Sequence, residues 1–300
     1  MTQSAERKVS REPKRNDEPQ AAPVAPPQRY ATTMAELGDK LPVGILDSEG
    51  RLHKEIVTKP WRTRDERELG RKLAPDAQIS DHVPLVVSSM CSRIGPHDMD
   101  GLDDAKKGLI LSTMYMADVF YAYALLRMKT MGSRLPLTVA CPRGGCGVRF
   151  PYVGDMTSIE VMAVDDIDAI LWSYELADPL EIRRKRVTHF RMAYPKWSVM
   201  EQSRGVDNEA DIKANVIQAS IVGLNDEDVP VALTLNEIDE LSKRDFEGIQ
   251  EGVNQHFLGP KMGIEGQCTP TVCTRYKRGG FDFKIPIDWS YKSFFGASSR

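Results

Sequence analysis

Apolar positions change their spacing several times along the chain, and each change marks an element. Leu41 to Val57 holds two short β-prone runs around Asp47-Ser-Glu-Gly50, a turn whose glycine accepts the positive φ that closing a hairpin often needs. Thr63 to Glu66 reads as a capping box opening a charged helix to about Ala74, where Pro75 stops it. Val83 to Ile94 is apolar and helical or buried. From 106 to 131, Ile110, Met114, Ala117, Tyr121, Leu125 and Met128 form the stripe of one long helix. A short helix is predicted near Asp165–Trp172, followed by two β-prone runs between Tyr174 and Trp197. Residues 208–224 are amphipathic with a helical period. Phe281 to Trp289 alternates like a half-buried strand, and the aromatic tail Tyr291 to Phe295 is expected to dock.

Residues 1–38 behave differently. They carry prolines, mixed charges and almost no large apolar residue before Tyr30, so they are predicted to be a disordered arm. The interleaving of Arg and Lys with Asp and Glu suits a solvated tether better than a nucleic-acid arm.

Between two β-prone runs lies Leu137-Thr-Val-Ala-Cys-Pro-Arg-Gly-Gly-Cys-Gly-Val-Arg-Phe150, the form of a zinc knuckle. A knuckle supplies two thiolates, and a tetrahedral zinc needs four ligands. The second pair stands at Cys268 and Cys273 with the same gap. Shifting the chain along itself by 127 positions superposes Asp118 on Asp245, Gly132 on Gly259, Cys141 on Cys268 and Cys146 on Cys273 without a gap. The expected fold is therefore α+β: two tandem hairpin-helix-knuckle units, 39–172 and 173–300, sharing one zinc ribbon-like site ligated by Cys141, Cys146, Cys268 and Cys273. Two unliganded buried pairs, or redox-active or disulfide pairs, are the alternatives. The N-terminus is polar and lacks an apolar signal-peptide core, so reduced thiols are expected. Cys91 reads as a lone buried thiol.

Charge and motif content narrow the function. A net charge of −3 argues against a dedicated nucleic-acid binder. The run from Gly108 to Leu126 is nearly long enough to span a bilayer, but Asp118 at its centre makes it a buried core helix, so no membrane span is expected. His97 to Asp104 gathers one histidine and four carboxylates, a conceivable acid/base or metal cluster; carboxylates also collect before a helix because they suit its N-terminal dipole. No phosphate loop, HExxH or nucleophile elbow occurs, and a zinc held by four thiolates keeps no open position. The chain is expected not to be an enzyme, and no small-molecule substrate is expected.

The Leu-Pro hairpin with its Asp-x-x-Gly turn, the helix with Asp118 and Gly132, the Cys-Pro-x-x-x-Cys-Gly knuckle, the second set Leu241-Ser-Lys-Arg-Asp245, Gly259, Cys268 and Cys273, and the terminal Phe294-Phe295 together resemble baseplate hub and tail-assembly proteins of contractile-tailed phages and related contractile injection systems. The resemblance covers about residues 38–295. It implies a structural zinc-binding component or assembly factor of the baseplate that binds other tail proteins, located in the virion tail or in the bacterial host cytoplasm during assembly. The partner surface is expected on Trp289 to Phe295, since exposed aromatics favour interfaces. A zinc-ribbon adaptor contacting nucleic acid, through Arg143, Arg149, Arg275, Lys277 and Arg278, is the alternative.

Overall fold

A computed structural model describes residues 28–74, 77–141, 147–227, 229–268, 281–290 and 295. The first half opens with β1 (Arg29–Thr33) and α1 (Met34–Leu37). A reciprocal cap forms here: Glu36 N donates to Thr33 Oγ1 at 3.3 Å, and Thr33 N donates to Glu36 Oε2 at 3.0 Å. Met34 and Leu37 are buried, and the Tyr121 hydroxyl donates to Gly38 O at 2.6 Å. The arm predicted for residues 1–38 is thus corrected from Arg29 onward. The Thr33-x-x-Glu36 cap and two apolar side chains are enough to order this stretch once a core lies beneath it.

The first hairpin is β2 (Lys40–Leu46) and β3 (Leu52–Thr58), closed by Asp47, whose Oδ1 accepts from Glu49 N and Arg51 N at 2.9 Å each. Then come α2 (Thr63–Lys72) and α3 (Ile79–Met90), which runs straight into β4 (Cys91–Ile94). β5 (His97–Asp98) completes a sheet of order β2-β3-β4-β5. The single helix expected over 106–131 is two, α4 (Asp104–Thr113) and α5 (Met116–Met131). The break has a tertiary cause. Met116 N donates to Pro195 O at 3.1 Å and Trp197 N to Met114 O at 2.8 Å, so a distant segment inserts its backbone between the helices. Every residue of α5 from Ala117 to Arg127 is buried, as befits a helix enclosed on all sides. No helix among the described residues is long and apolar enough to cross a membrane. The half ends in the antiparallel pair β6 (Arg134–Ala140) and β7 (Arg149–Asp155).

The second half follows a like order. β8 (Glu160–Val164) leads through a 3-10 turn, Ile167–Ile170, in place of the predicted short helix, to the hairpin β9 (Leu171–Ile182) and β10 (Lys185–Ala193). After α6 (Ser198–Gln202), α7 (Glu209–Ser220) runs straight into β11 (Ile221–Leu224), just as α3 runs into β4. Then come α8 (Leu235–Asp239), α9 (Lys243–Gln255), the short β12 (Gly259–Pro260) and the antiparallel pair β13 (Gly263–Cys268) and β14 (Phe281–Pro286). The halves interlock at the sheet β1-β8-β12. Gly259, at φ 95°, lies so close to α5 that a Cβ there would meet Ala117 Cα at 2.9 Å.

Most of the second half's hairpin and helices share a core of their own, but Ile264, Ile287, Trp289 and Phe295 belong to the core of the first half. Trp289 packs edge-on to Phe120 with ring centroids 5.4 Å apart, and its carbonyl receives the buried His82 Nε2 at 2.9 Å. Phe295 stacks on Trp61 at 5.1 Å. Tyr291 to Phe294 lie outside the described residues, and Phe295 docks as expected; the expectation of an exposed partner surface is corrected at Trp289 and Phe295, because both are core residues. Burying two large aromatic rings outweighs leaving them for a partner. Trp289→Ala should therefore destabilise the protein by about 3–5 kcal/mol, read as a lowered urea midpoint, and truncation after Ile287 should do at least as much. An unchanged midpoint would show the segment to be dispensable.

Candidate metal centre and the buried aspartates

The two terminal hairpins meet face to face. Alternation along β6 and β7 turns Leu135, Val139 and Phe150 inward; on β13 and β14 it turns Ile264, Cys268 and Phe283 inward. Val139, Cys141, Phe150, Cys268 and Phe283 form one small apolar cluster, with Phe150 and Tyr152 both edge-on to Phe283 at 5.9 and 5.1 Å. Packing is close enough that a Cβ on Gly266 would meet Phe283 Cζ at 2.6 Å and Tyr152 Cζ at 2.7 Å. Cys141 follows β6 directly, with its N–H donating to Val148 O at 2.9 Å.

Cys141 and Cys268, 127 residues apart, are thus brought together in one buried cluster, 5% and 1% exposed. Cys146 and Cys273 lie outside the described residues. Among the described residues no three His, Cys, Asp or Glu side chains group as metal ligands. Sulfur donors walled by phenylalanine rings suit a closed thiolate site for a soft or borderline metal such as zinc. Cys91 is separate: it is the first residue of β4, fully buried in the core of the first half, and burial pushes its thiol up to about 12, which disfavours the reactive thiolate.

The second feature is a matched pair of buried carboxylates. Asp118, in the first turn of α5, accepts from Val43 N at 2.8 Å and Gly44 N at 3.0 Å. Asp245, in the first turn of α9, accepts from Ala177 N at 2.8 Å and Asp178 N at 3.2 Å. Two consecutive N–H groups can point the same way only where a strand departs from regular pairing; the β2–β3 register shifts between Lys40 and Ile45, and the β9–β10 register shifts across Val187 and His189. Each aspartate therefore fastens a bulged edge strand to the start of a helix. The 127-residue offset located both residues in sequence, but not what they hold.

Their surroundings differ. Asp118 lies in the middle of the core, where burial pushes its carboxyl up to about 7 against the pull of its two N–H donors and the more distant Lys54. Asp245 sits just beneath the surface. There the burial penalty is outweighed by the bonds from Ala177, Ser242, Asp178 and Tyr174, and its carboxyl is held below the ordinary range.

The His97 to Asp104 cluster serves local structure. Asp103 caps α4 by accepting from Lys106 N at 2.8 Å, Asp98 accepts from Asp100 N at 3.0 Å, Asp100 pairs with Lys59, and Asp104 pairs with Lys72 at 3.1 Å. The sequence pattern did not single out His82, which lies fully buried on α3 against Tyr123 and the Trp289 carbonyl.

No family model, curated protein or solved structure matches the chain.

The two aspartates should give pH slopes of opposite sign. The native Asp118 keeps its proton to about pH 7, whereas an unfolded aspartate releases it near 3.9, so its contribution to stability is full below about pH 4 and declines as pH rises to 7. Asp245 stabilises the fold above the unfolded pKa, and that stability is lost as pH falls through its depressed value. Unfolding midpoints from pH 3 to 8 should show Asp118→Asn flattening the neutral slope and Asp245→Asn flattening the acid one. Equal profiles for both variants and the parent would refute the assignment.

Proposed function

We propose that the chain is a non-enzymatic, zinc-stapled assembly protein, built from two copies of one hairpin-helix-knuckle unit and working by binding other proteins. The observation that carries this reading is the burial of Cys141 and Cys268 in a single cluster where the two terminal hairpins meet. Cys146 and Cys273 would complete the ligand set. A metal held this way contributes folding free energy and ties the two hairpins together, since zinc binding at thiolate sites is worth about 10–16 kcal/mol in peptide models.

Support for the two-copy reading comes from the paired aspartates, the paired positive-φ glycines after α5 and α9 (Gly132 at 84° and Gly259 at 95°), and the two helices that run directly into strands. The principal polar groups of the core are committed to structure: Asp118 and Asp245 hold strands, His82 holds the C-terminal segment, and Arg127 donates to the carbonyls of Gly132 and Arg134 at the end of α5. This favours a binding role over turnover. The resemblance to baseplate hub and tail-assembly proteins of contractile phages names the setting: a component or assembly factor of the baseplate, in the virion tail or in the host cytoplasm while tails are built.

Purified protein should contain roughly one zinc per chain. Cys268→Ser should lose it and unfold at a markedly lower temperature. Gly266→Val, which touches no ligand but wedges Tyr152 from Phe283, should weaken zinc retention against a chelator. Metal-free protein, with stability unmoved in both variants, would end the zinc reading. For the setting, cells producing phage without this protein should accumulate incomplete tails; normal particles would exclude an assembly role.

A further inference from the structure

The two terminal hairpins differ on the faces they turn away from each other. On β13–β14 that face is built for water: Glu265 stands opposite Lys284 and pairs with it at 3.7 Å, and Gln267 stands opposite Asp282 and donates to it at 3.0 Å. On β6–β7 the equivalent positions are Pro136 opposite Val153, Thr138 opposite Pro151, and Ala140 opposite Arg149. All six are exposed, Val153 at 57%. Polar cross-strand pairs are the ordinary covering of a solvated sheet face, and one hairpin of this protein has them. The other carries no polar cross-strand pair there, and presents a strip of two prolines, Val153, Ala140 and the methyl-bearing Thr138 to solvent.

Two further facts define what fits there. The prolines remove backbone donors from both strands, which blocks strand addition at the hairpin's edges, so an occupant must lie across the face and be held by side chains. Arginines stand at both ends of the strip. Arg134 is opposite Asp155, whereas Arg149 has no ion-pair partner among the described residues. The strip is two strands wide and roughly 14 Å long, close to the footprint of two to three turns of helix. We propose that the outer face of β6–β7 is a docking surface for an amphipathic helix of a partner protein, one whose apolar stripe is flanked by carboxylates. A second copy meeting this one face to face would set the same arginine-ended face against itself, so the charge pattern selects a different partner.

The surface can be tested with two synthetic helical peptides of about 14 residues, each carrying a leucine stripe, one flanked by glutamates and one by lysines. Binding to the full-length protein is followed by amide chemical shifts. The glutamate peptide should bind at least tenfold more tightly than the lysine peptide and should move the resonances of Pro136–Ala140 and Arg149–Val153. Val153→Glu, at an exposed position, should leave the unfolding midpoint and zinc content unchanged while weakening that binding at least tenfold. Arg149→Glu should reverse the charge preference. Failure of both peptides at millimolar concentration, or binding that Val153→Glu does not alter, would overturn the proposal. So would a concentration-dependent dimer in sedimentation that Val153→Glu dissolves, since the occupant would then be a second copy. None of these failures bears on the metal, which is measured separately.

Discussion

A carboxylate buried in the first turn of α5 holds the first hairpin to the rest of the protein. Asp118 has no exposed surface, and its two oxygens are met by consecutive backbone N–H groups of β2. Such a group is costly to bury unless hydrogen-bonded, and a bulged edge strand has donors that its own sheet cannot satisfy. Each therefore answers the other's deficit. Placing the hairpin on α5 in turn positions β3, β4 and the core that closes over α3. The same arrangement recurs at Asp245 with β9, nearer the surface and reinforced by Ser242 and Tyr174.

Downstream of each pinned helix, a glycine with positive φ turns the chain into a hairpin, and the two hairpins close on one another. Their inner faces are complementary to the point that glycine is required at residue 266 for the rings of Tyr152 and Phe283 to meet. This contact carries Cys141 and Cys268 into a shared apolar setting. The outer faces differ, one carrying paired polar residues and the other proline, valine, threonine and alanine.

The C-terminal segment ties the halves together. After β14 the chain returns to the first core, where Trp289 and Phe295 join Phe120, Tyr123 and Trp61. The last residues to be synthesised are thus needed to close the core of the first half, and a division at residue 172 does not separate two self-sufficient cores. His82 contributes by holding the Trp289 carbonyl from inside.

Local spacing was enough to determine the hairpin at 41–57, the helix α2 though not its cap, which Asp65 supplies to Arg62 N in place of a Thr63 to Glu66 box, the helix α7 though not the strand it becomes after Ser220, and β14, because each depends on neighbours within a few residues. The offset of 127 positions also singled out Asp118, Asp245, Gly132 and Gly259, since backbone requirements such as a positive φ or a strand-holding carboxylate restrict residue type strongly. Tertiary structure decided the rest. The break between α4 and α5 comes from the backbone around Pro195 and Trp197, nearly 80 residues away, which no local period encodes. Residues 29–38 read as part of a proline-rich arm because a strand and one helical turn bury too little by themselves; they are ordered by β8 and Tyr121. Trp289 and Phe295 looked like interface anchors for the same reason: burial of an aromatic side chain is favourable in a partner's pocket and in its own core alike, and only the folded chain determines which it meets.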